Sequence, residues 1–227
     1  MSKIWYLSPS NQAANLGVLD YGTEKEQMNL LVAEIVPHLD RAGVSFHVGD
    51  PDMTIQERSA ESNEMQARFH LALHSNAGGK GMARGPVAYY YSDAGKAFGE
   101  MVVSELLALG QENNRAENVK QETGFYELRK TRAPACLLEV DFHDSESGVR
   151  FLTRRRAEIA EAIARVIIAS DGKEFVPVTP GEYRDKAVHY GFLDPCQPGF
   201  RWSDPMTREE AAILAVRLME RMAKGVK

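Results

Sequence analysis

The sequence is poor in cysteine and has no excess of positive charge. Cys136 and Cys196 are the only cysteines among 227 residues, and neither belongs to a Cys-x-x-Cys pair, so the sequence predicts neither a disulfide framework nor a thiolate metal site. Lys and Arg number 27 against 32 Asp and Glu, which leaves a formal net charge of −5. Because proteins that bind nucleic acid gain much of their affinity from positive charge, nucleic acid is not the expected partner.

Long apolar runs are also missing. No stretch approaches the roughly 18 apolar residues of a membrane-spanning helix. Residues 1–10 contain neither the apolar centre nor the small-residue cleavage site of a signal peptide. We therefore expect a protein without a membrane span that is made in the cytoplasm, and that reaches any target outside the cytoplasm after release or by an unconventional export route.

Strand and helix patterns alternate through the first three quarters of the chain. The patterns predict strands at residues 4–7, 44–48, 69–74, 87–91 and 135–140, and helices at residues 24–42, 55–66, 94–109 and 148–169. This alternation predicts an α/β domain, with a twisted, mostly parallel or mixed sheet and helices on both faces. In such sheets, the functional groups collect at the carboxyl ends of the strands.

The composition changes near residue 172. Residues 1–172 are predicted to form the main domain and residues 173–182 a linker, because the composition turns to Asp, Gly, Pro and Thr over residues 170–182. Residues 183–227 are too few to build much of a core alone, and they are expected to form a small helical module. In that module, Thr207 and Glu210 have the spacing of a capping box at the start of an apolar helix.

Two chemically active side chains lie at the ends of predicted strands. His74 is followed by small residues that leave an imidazole ring accessible to a metal ion. Glu139 lies at the end of the most apolar strand, where a carboxylate is costly to bury unless it is paired, bound to a metal or used in acid–base chemistry. These positions predict a site at one edge of the sheet.

The first predicted helix begins with two acidic residues that need not share a role. Thr23 and Glu26 have the spacing of a capping box, which gives Glu26 a structural explanation. Glu24 is then the freer acid and is placed to point over the sheet edge towards His74. The alternative for Glu24 is a favourable interaction with the helix dipole.

Several motifs, in their order along the chain, carry a family resemblance. They are Leu-Ser-Pro-Ser-Asn-Gln at 7–12, Tyr-Gly-Thr-Glu at 21–24, His-Ser-Asn-Ala-Gly-Gly at 74–79, Tyr-Tyr-Tyr-Ser at 89–92, Tyr-Glu-Leu-Arg at 126–129 and Ala-Pro-Ala-Cys-Leu-Leu-Glu-Val-Asp-Phe-His-Asp at 133–144. Over residues 3–169 the chain resembles the zinc-dependent N-acetylmuramoyl-L-alanine amidases, most of all the branch of cell-wall hydrolases and phage endolysins of Gram-positive bacteria. The resemblance implies hydrolysis of the amide between N-acetylmuramic acid and L-Ala in peptidoglycan, leading to cell-wall lysis or remodelling.

The resemblance also implies roles for individual residues. Members of the family bind one Zn²⁺ through a His, a Glu and a second His, and a further Glu serves as general base and acid. His74 matches the second His ligand and Glu139 the catalytic Glu. Glu24 matches the ligand Glu, with Glu26 as the alternative. The resemblance also makes Asn76 a candidate for contact with the substrate.

The chain departs from the family at the first His ligand. Its place falls near Ser10, where the sequence has no imidazole, and Gln12 is the best substitute among residues 8–15. An amide oxygen is a weaker ligand for zinc than an imidazole. Three interpretations follow: an active zinc site of Gln12, Glu24 and His74, a weaker or exchangeable metal, or an inactive amidase fold that only binds peptidoglycan. We favour the active site, because His74 and Glu139 both stand in their full motifs.

The C-terminal module has a resemblance of its own. Residues 187–214 resemble a single S-layer-homology motif, a type that usually occurs in several copies for anchoring to the cell wall. One copy implies weak binding to a wall polymer, docking on the catalytic domain, or pairing between chains in a homo-oligomer. An amidohydrolase that acts on small peptides would share the predicted metal site but would have no use for this module.

Overall fold

The computed structural model describes residues 4–78 and 80–177, which form an α/β fold around one sheet. The strands are β1 (Trp5–Pro9), β2 (Phe46–Val48), β3 (Phe69–Asn76), β4 (Val87–Tyr90), β5 (Val119–Gln121) and β6 (Ala135–Phe142). The helices are α1 (Glu24–Arg41), α2 (Ile55–Glu64), α3 (Asp93–Ala108), α4 (Tyr126–Lys130), α5 (Glu146–Arg154) and α6 (Arg156–Ser170). The predicted fold class is confirmed.

The sheet is mixed, and its central strands come from distant parts of the chain. The strand order is β2-β1-β3-β6-β4-β5. Strands β2, β1, β3 and β6 are parallel to one another, β4 is antiparallel to β6, and β5 is parallel to β4. Because β3 and β6 are neighbours, His74 lies directly opposite Glu139. The register therefore brings the ends of these two strands to one point on the sheet edge.

The two faces of the sheet differ in chemistry. Apolar residues of β1, β3 and β6, such as Leu7, Leu71 and Leu138, pack with α1, α3 and α6 in the main core. Since side chains alternate along a strand, the residues between them point to the opposite face, which α4 covers. That face has only a small apolar cluster, which includes Ala72 and Leu137. The remaining positions of this second face are available to polar groups.

The helix starts follow the predicted capping signals. Thr23 accepts a hydrogen bond from the backbone N–H of Glu26, and the Glu26 carboxylate accepts one from the backbone N–H of Thr23. The predicted capping box is therefore confirmed. It holds Glu26 at the surface and leaves Glu24, only 1% exposed, as the acid that enters the protein.

The structure corrects the prediction at its last helix and adds two short elements. Residues 148–169 were predicted as one helix, but α5 and α6 are separate and meet at Arg155, where the backbone has φ −115° and ψ 21°. The Arg155 side chain donates to the backbone oxygen of Leu109 and to Glu158, which holds the break in place. Apolar residues continue with helical spacing on both sides of the break, so the pattern contains no sign of it. The prediction also lacked β5 and α4.

Other predictions concern the rest of the chain. Within residues 4–78 and 80–177, no helix combines the length and the hydropathy that crossing a bilayer requires. Residues 178–182 of the predicted linker and the whole module at residues 183–227, with Thr207 and Glu210, lie outside the described residues.

Candidate active site

The candidate active site lies at the carboxyl edge of the central strands. β3 ends beside His74, β6 carries Glu139 directly opposite, and α1 begins with Glu24. The loop before α1 is tied down by a hydrogen bond from the backbone N–H of Glu24 to the carbonyl of Asn15 and by a bridge between Leu16 and Thr23. These elements bring together two of the predicted ligands and the predicted catalytic carboxylate.

Glu24 and His74 form a buried pair. Glu24 Oε1 lies 2.7 Å from His74 Nδ1, and the two residues are 1% and 6% exposed. Burial opposes the charge on Glu24, but the hydrogen bond and charge of His74, with further hydrogen bonds from Asn15 and Ser10, lower its pKa. Burial likewise opposes the charge on His74, but the hydrogen bond to Glu24 and the surrounding carboxylates raise its pKa. Each member of the pair therefore favours the charged form of the other.

Gln12 joins this pair through its amide group. Its Nε2 atom lies 3.4 Å from Glu24 Oε1 and 3.3 Å from His74 Nδ1. Asn15 Nδ2 donates to Gln12 Oε1 and to Glu24 Oε2, both at 2.8 Å. Asn15 was not among the predicted site residues. Asn15 lies in the polar loop before α1, but its contacts with Gln12 and Glu24 form only because that loop folds back onto the start of α1.

The spacing of these three groups allows a test of the zinc assignment. Ligand atoms bound tetrahedrally at 2.0–2.1 Å from zinc lie about 3.3 Å apart. The distance from His74 Nδ1 to Glu24 Oε1 is 2.7 Å. The end of the Gln12 amide lies 3.3 Å from His74 Nδ1 and 3.4 Å from Glu24 Oε1. The two ends of an amide are assigned from hydrogen bonds. The oxygen of Gln12 faces the pair when the amide is turned over, which gives up its hydrogen bond from Asn15. The set therefore fits a small three-donor metal site.

This donor set is weaker than one built only from imidazoles and carboxylates. Within the part of the chain that the structure describes, no three His, Cys, Asp or Glu residues gather in a group able to hold a metal. A third donor at this point would have to be the neutral amide of Gln12. Neutral oxygen donors bind zinc less tightly than imidazoles do.

Glu139 is a partly exposed residue with one shielded oxygen. Its Oε2 atom is buried and has no hydrogen-bond partner among the described residues. Burial raises the pKa of Glu139 to about 7, with His74 acting to lower it and Glu24 to raise it. A carboxyl group with such a pKa holds and releases a proton near neutral pH, as a general base and acid requires.

A second buried carboxylate lies on the other side of His74. Glu127, on α4, is 3% exposed, and its Oε1 atom accepts hydrogen bonds from Ser8 Oγ at 2.6 Å and His70 Nε2 at 3.1 Å. Its Oε2 atom lies 4.0 Å from His74 Nε2. Burial opposes ionisation, but the hydrogen bond and charge of His70, the charge of His74 and the hydrogen bond of Ser8 lower the pKa of Glu127 to about 2. Glu127, Ser8 and His70 were not among the predicted site residues.

Asn76, the predicted substrate-binding residue, lies just beyond an irregularity in the pairing of β3 with β6. Its Oδ1 atom accepts a hydrogen bond from the backbone N–H of Ala77 at 2.8 Å. A further side-chain hydrogen bond joins Asn76 to Tyr89, whose pKa is raised by burial and by the charge of Glu139. Asn76 and Tyr89 thus form a polar and aromatic border beside the carboxylate of Glu139.

Comparison with curated proteins identifies two groups of relatives. The sporulation-specific N-acetylmuramoyl-L-alanine amidase of Bacillus subtilis is 24% identical over 169 residues, which cover 70% of this chain and 63% of the relative. The probable cell wall amidase LytH of Staphylococcus aureus is 24% identical over 133 residues, which cover 59% of this chain and 44% of the relative. The matched regions are less than two thirds of either relative.

Solved structures show the same fold at low identity. The catalytic domain of the amidase CwlV from Bacillus (Paenibacillus) polymyxa var. colistinus matches with a TM-score of 0.69 and 18% identity, covering 76% of this chain and 99% of that domain. The catalytic domain of the endolysin CD27L, which targets Clostridia difficile, matches with a TM-score of 0.62 and 16% identity, covering 74% of this chain and 98% of that domain.

The family model described as N-acetylmuramoyl-L-alanine amidase matches residues 13–169. The chain therefore belongs to the N-acetylmuramoyl-L-alanine amidase family.

Proposed function

We propose that this chain hydrolyses the amide bond between N-acetylmuramic acid and L-Ala in peptidoglycan. The observation that carries the proposal is the shielded, unpartnered Oε2 atom of Glu139 directly across the strand pair from His74, within a domain of the amidase family. No hydrogen bond to a described residue accounts for the burial of this oxygen. The raised pKa of Glu139 suits proton transfer.

Gln12, Glu24 and His74 are the residues that would hold Zn²⁺. Bound there, zinc would supply Lewis-acid polarisation of the scissile carbonyl and would lower the pKa of a water molecule. The buried Glu24–His74 pair provides one anionic and one imidazole donor. Asn15 would orient Glu24, because it donates to Glu24 Oε2 at 2.8 Å.

Glu139 would carry the proton in this reaction. In its ionised form it accepts a proton from the attacking water, and in its protonated form it returns that proton to the amine of L-Ala as the C–N bond breaks. Its pKa of about 7 makes both forms accessible near neutral pH. Asn76 and Tyr89, at the border of the site, would contact the substrate.

The test uses purified peptidoglycan and the variant Glu139→Gln. We expect the variant to lose at least about 100-fold in the release of new amino groups, because general base and acid catalysis is worth 10²–10⁴-fold. Bound zinc should stay near one equivalent, since Glu139 is not one of the three donors. Retained activity in this variant would remove Glu139 from the mechanism.

Glu26→Gln is the matched control. Glu26 lies two residues from Glu24, but its carboxylate is held at the surface by the Thr23 capping box. This variant should keep both zinc and activity. Glu24→Gln, by contrast, should lose zinc together with activity.

A second candidate function is peptidoglycan binding without catalysis. The observation in its favour is that only two of the three proposed donors are of the imidazole or carboxylate type. Full-length protein that binds purified walls, holds no zinc and releases no amino groups would establish this alternative.

We further propose that residues 183–227 help to attach the chain to the wall or pair it with a second copy, and that the protein acts on the wall after leaving the cytoplasm. Wall binding and oligomeric state of the full chain, compared with a chain that ends at residue 177, test the role of this segment. Equal wall binding and equal mass in solution would contradict it.

A further inference from the structure

We infer that Glu127 is a positioning residue, which keeps a proton on Nε2 of His74 and so leaves Nδ1 as the nitrogen that binds the metal. The inference rests on the proposed zinc site. It adds a residue from α4 to the three side chains proposed as ligands.

The geometry places the His74 ring between two carboxylates. Glu24 Oε1 faces Nδ1 at 2.7 Å, and Glu127 Oε2 faces Nε2 at 4.0 Å. Nε2 is buried and has no hydrogen-bond partner within the described part of the chain. Among the described residues, Glu127 is therefore the carboxylate that forms an ion-pair contact with Nε2, while the charge of Glu139 also acts on the ring.

Glu127 is held as an acceptor by two other residues. Ser8 on β1 and His70 on β3 both donate to its Oε1 atom, at 2.6 and 3.1 Å. The His70 ring is itself stacked on Tyr6, with ring centroids 5.0 Å apart and planes 9° apart. Two neighbouring strands, β1 and β3, thus fix the carboxylate, and its other oxygen is the one directed to His74.

A fixed acceptor on one side of an imidazole decides which nitrogen carries the proton. A neutral imidazole has one N–H donor and one acceptor nitrogen. The 4.0 Å separation is longer than a hydrogen bond, so the attraction between the Nε2 proton and Glu127 is one of charge across a low-dielectric gap. With the proton on Nε2, the lone pair is on Nδ1, which faces Gln12 and Glu24. Carboxylates behind metal-binding histidines commonly orient the ring in this way.

Glu127→Gln tests the inference without removing side-chain volume. Ser8 and His70 donate to a single oxygen, so they hold the amide oxygen of the new side chain and turn its NH₂ group towards His74. A donor facing Nε2 disfavours a proton there. We expect the dissociation constant for zinc, measured by competition with a chelator, to rise about 10- to 100-fold.

The ring nitrogens provide a readout that a loss of stability alone would not change. In ¹⁵N NMR of the zinc-loaded wild-type protein, His74 should show a protonated Nε2 and a metal-bound Nδ1. A wild-type ring bound through Nε2 would overturn the inference even if the variant failed to fold. So would a folded Glu127→Gln protein with unchanged ring signals and unchanged zinc affinity.

Glu61→Gln is the matched control. Glu61 Oε2 accepts a hydrogen bond from the Tyr6 hydroxyl at 2.5 Å and lies 3.3 Å from His47 Nε2. Through Tyr6 it lies on the same side of the sheet as Glu127, but it forms no ion pair with His74. This variant should keep the zinc affinity of the wild type. Wild-type protein that binds no zinc would contradict the proposed function itself, whereas zinc binding that is insensitive to Glu127→Gln would contradict only the role of Glu127.

Discussion

Replacement of Glu139 by Gln should make the metal-free protein more stable at alkaline pH, although it removes the proposed catalytic base. In the folded protein, burial raises the pKa of Glu139 from 4.5 to about 7. At 1.36 kcal/mol for each pKa unit, ionised Glu139 costs the folded state up to about 3 kcal/mol. The side chain is partly exposed, so this value is an upper bound.

The sign of the effect follows from the direction of the shift. Below pH 4.5, Glu139 is protonated in both the folded and the unfolded protein, and its ionisation has no cost. As the pH rises from 4.5 to about 7, the unfolded chain releases the proton and the folded protein retains it, so stability falls. Above pH 7 the full cost is present. Gln does not titrate, so the advantage of the variant should be near zero at pH 4.5 and largest at pH 8.

Urea unfolding in the presence of a chelator measures this difference. With a typical dependence of 1–3 kcal/mol per molar urea, a gain of 2–3 kcal/mol raises the midpoint by about 1 M or more at pH 8. Glu117→Gln, at an exposed position, is the control and should show no such pH-dependent gain. If wild type and Glu139→Gln unfold at the same urea concentration at pH 8, Glu139 is well solvated and the explanation of its pKa is wrong.

The remaining predictions concern the first metal ligand and the packing of α5. Gln12→Ala should weaken zinc binding in a chelator competition while Asn15 and Glu24 remain hydrogen-bonded, and unchanged affinity would remove Gln12 from the site. Gly148→Ala should lower the unfolding free energy by about 1–3 kcal/mol, because a Cβ atom there would overlap the backbone oxygen of Phe142. Gly124→Ala, where the new Cβ would meet only the flexible end of Glu122, is its control in thermal unfolding.

Much of the fold was predictable because its main elements carry strong local patterns. The apolar β3 and β6 and the apolar stripe of α1 were recognisable, and Thr23 marked the start of α1 to the residue. The elements that were missed have little local signal. β5 has three partly or fully exposed residues, and α4 has five residues and no side-chain hydrogen bond at its cap. Their positions are determined by contacts with the rest of the sheet and not by their own periodicity.

The site divides in the same way. Family motifs pointed to Glu24, His74 and Glu139, and the structure brings these three residues to one edge of the sheet. Glu127 was not predicted, because its hydrogen-bond partners Ser8 and His70 are 119 and 57 residues away along the chain. Such pairing becomes visible only when the strand order is known.

The most direct test of the central claim is mass spectrometry of the products released from purified peptidoglycan by the zinc-loaded full chain. Cleavage at the proposed bond yields stem peptides with a free N-terminal L-Ala, together with glycan strands whose lactyl groups end in a carboxylate. We predict these products from the wild type and their loss in Glu139→Gln. Products cleaved within the peptide or the glycan, or the same yield from both proteins, would contradict the claim.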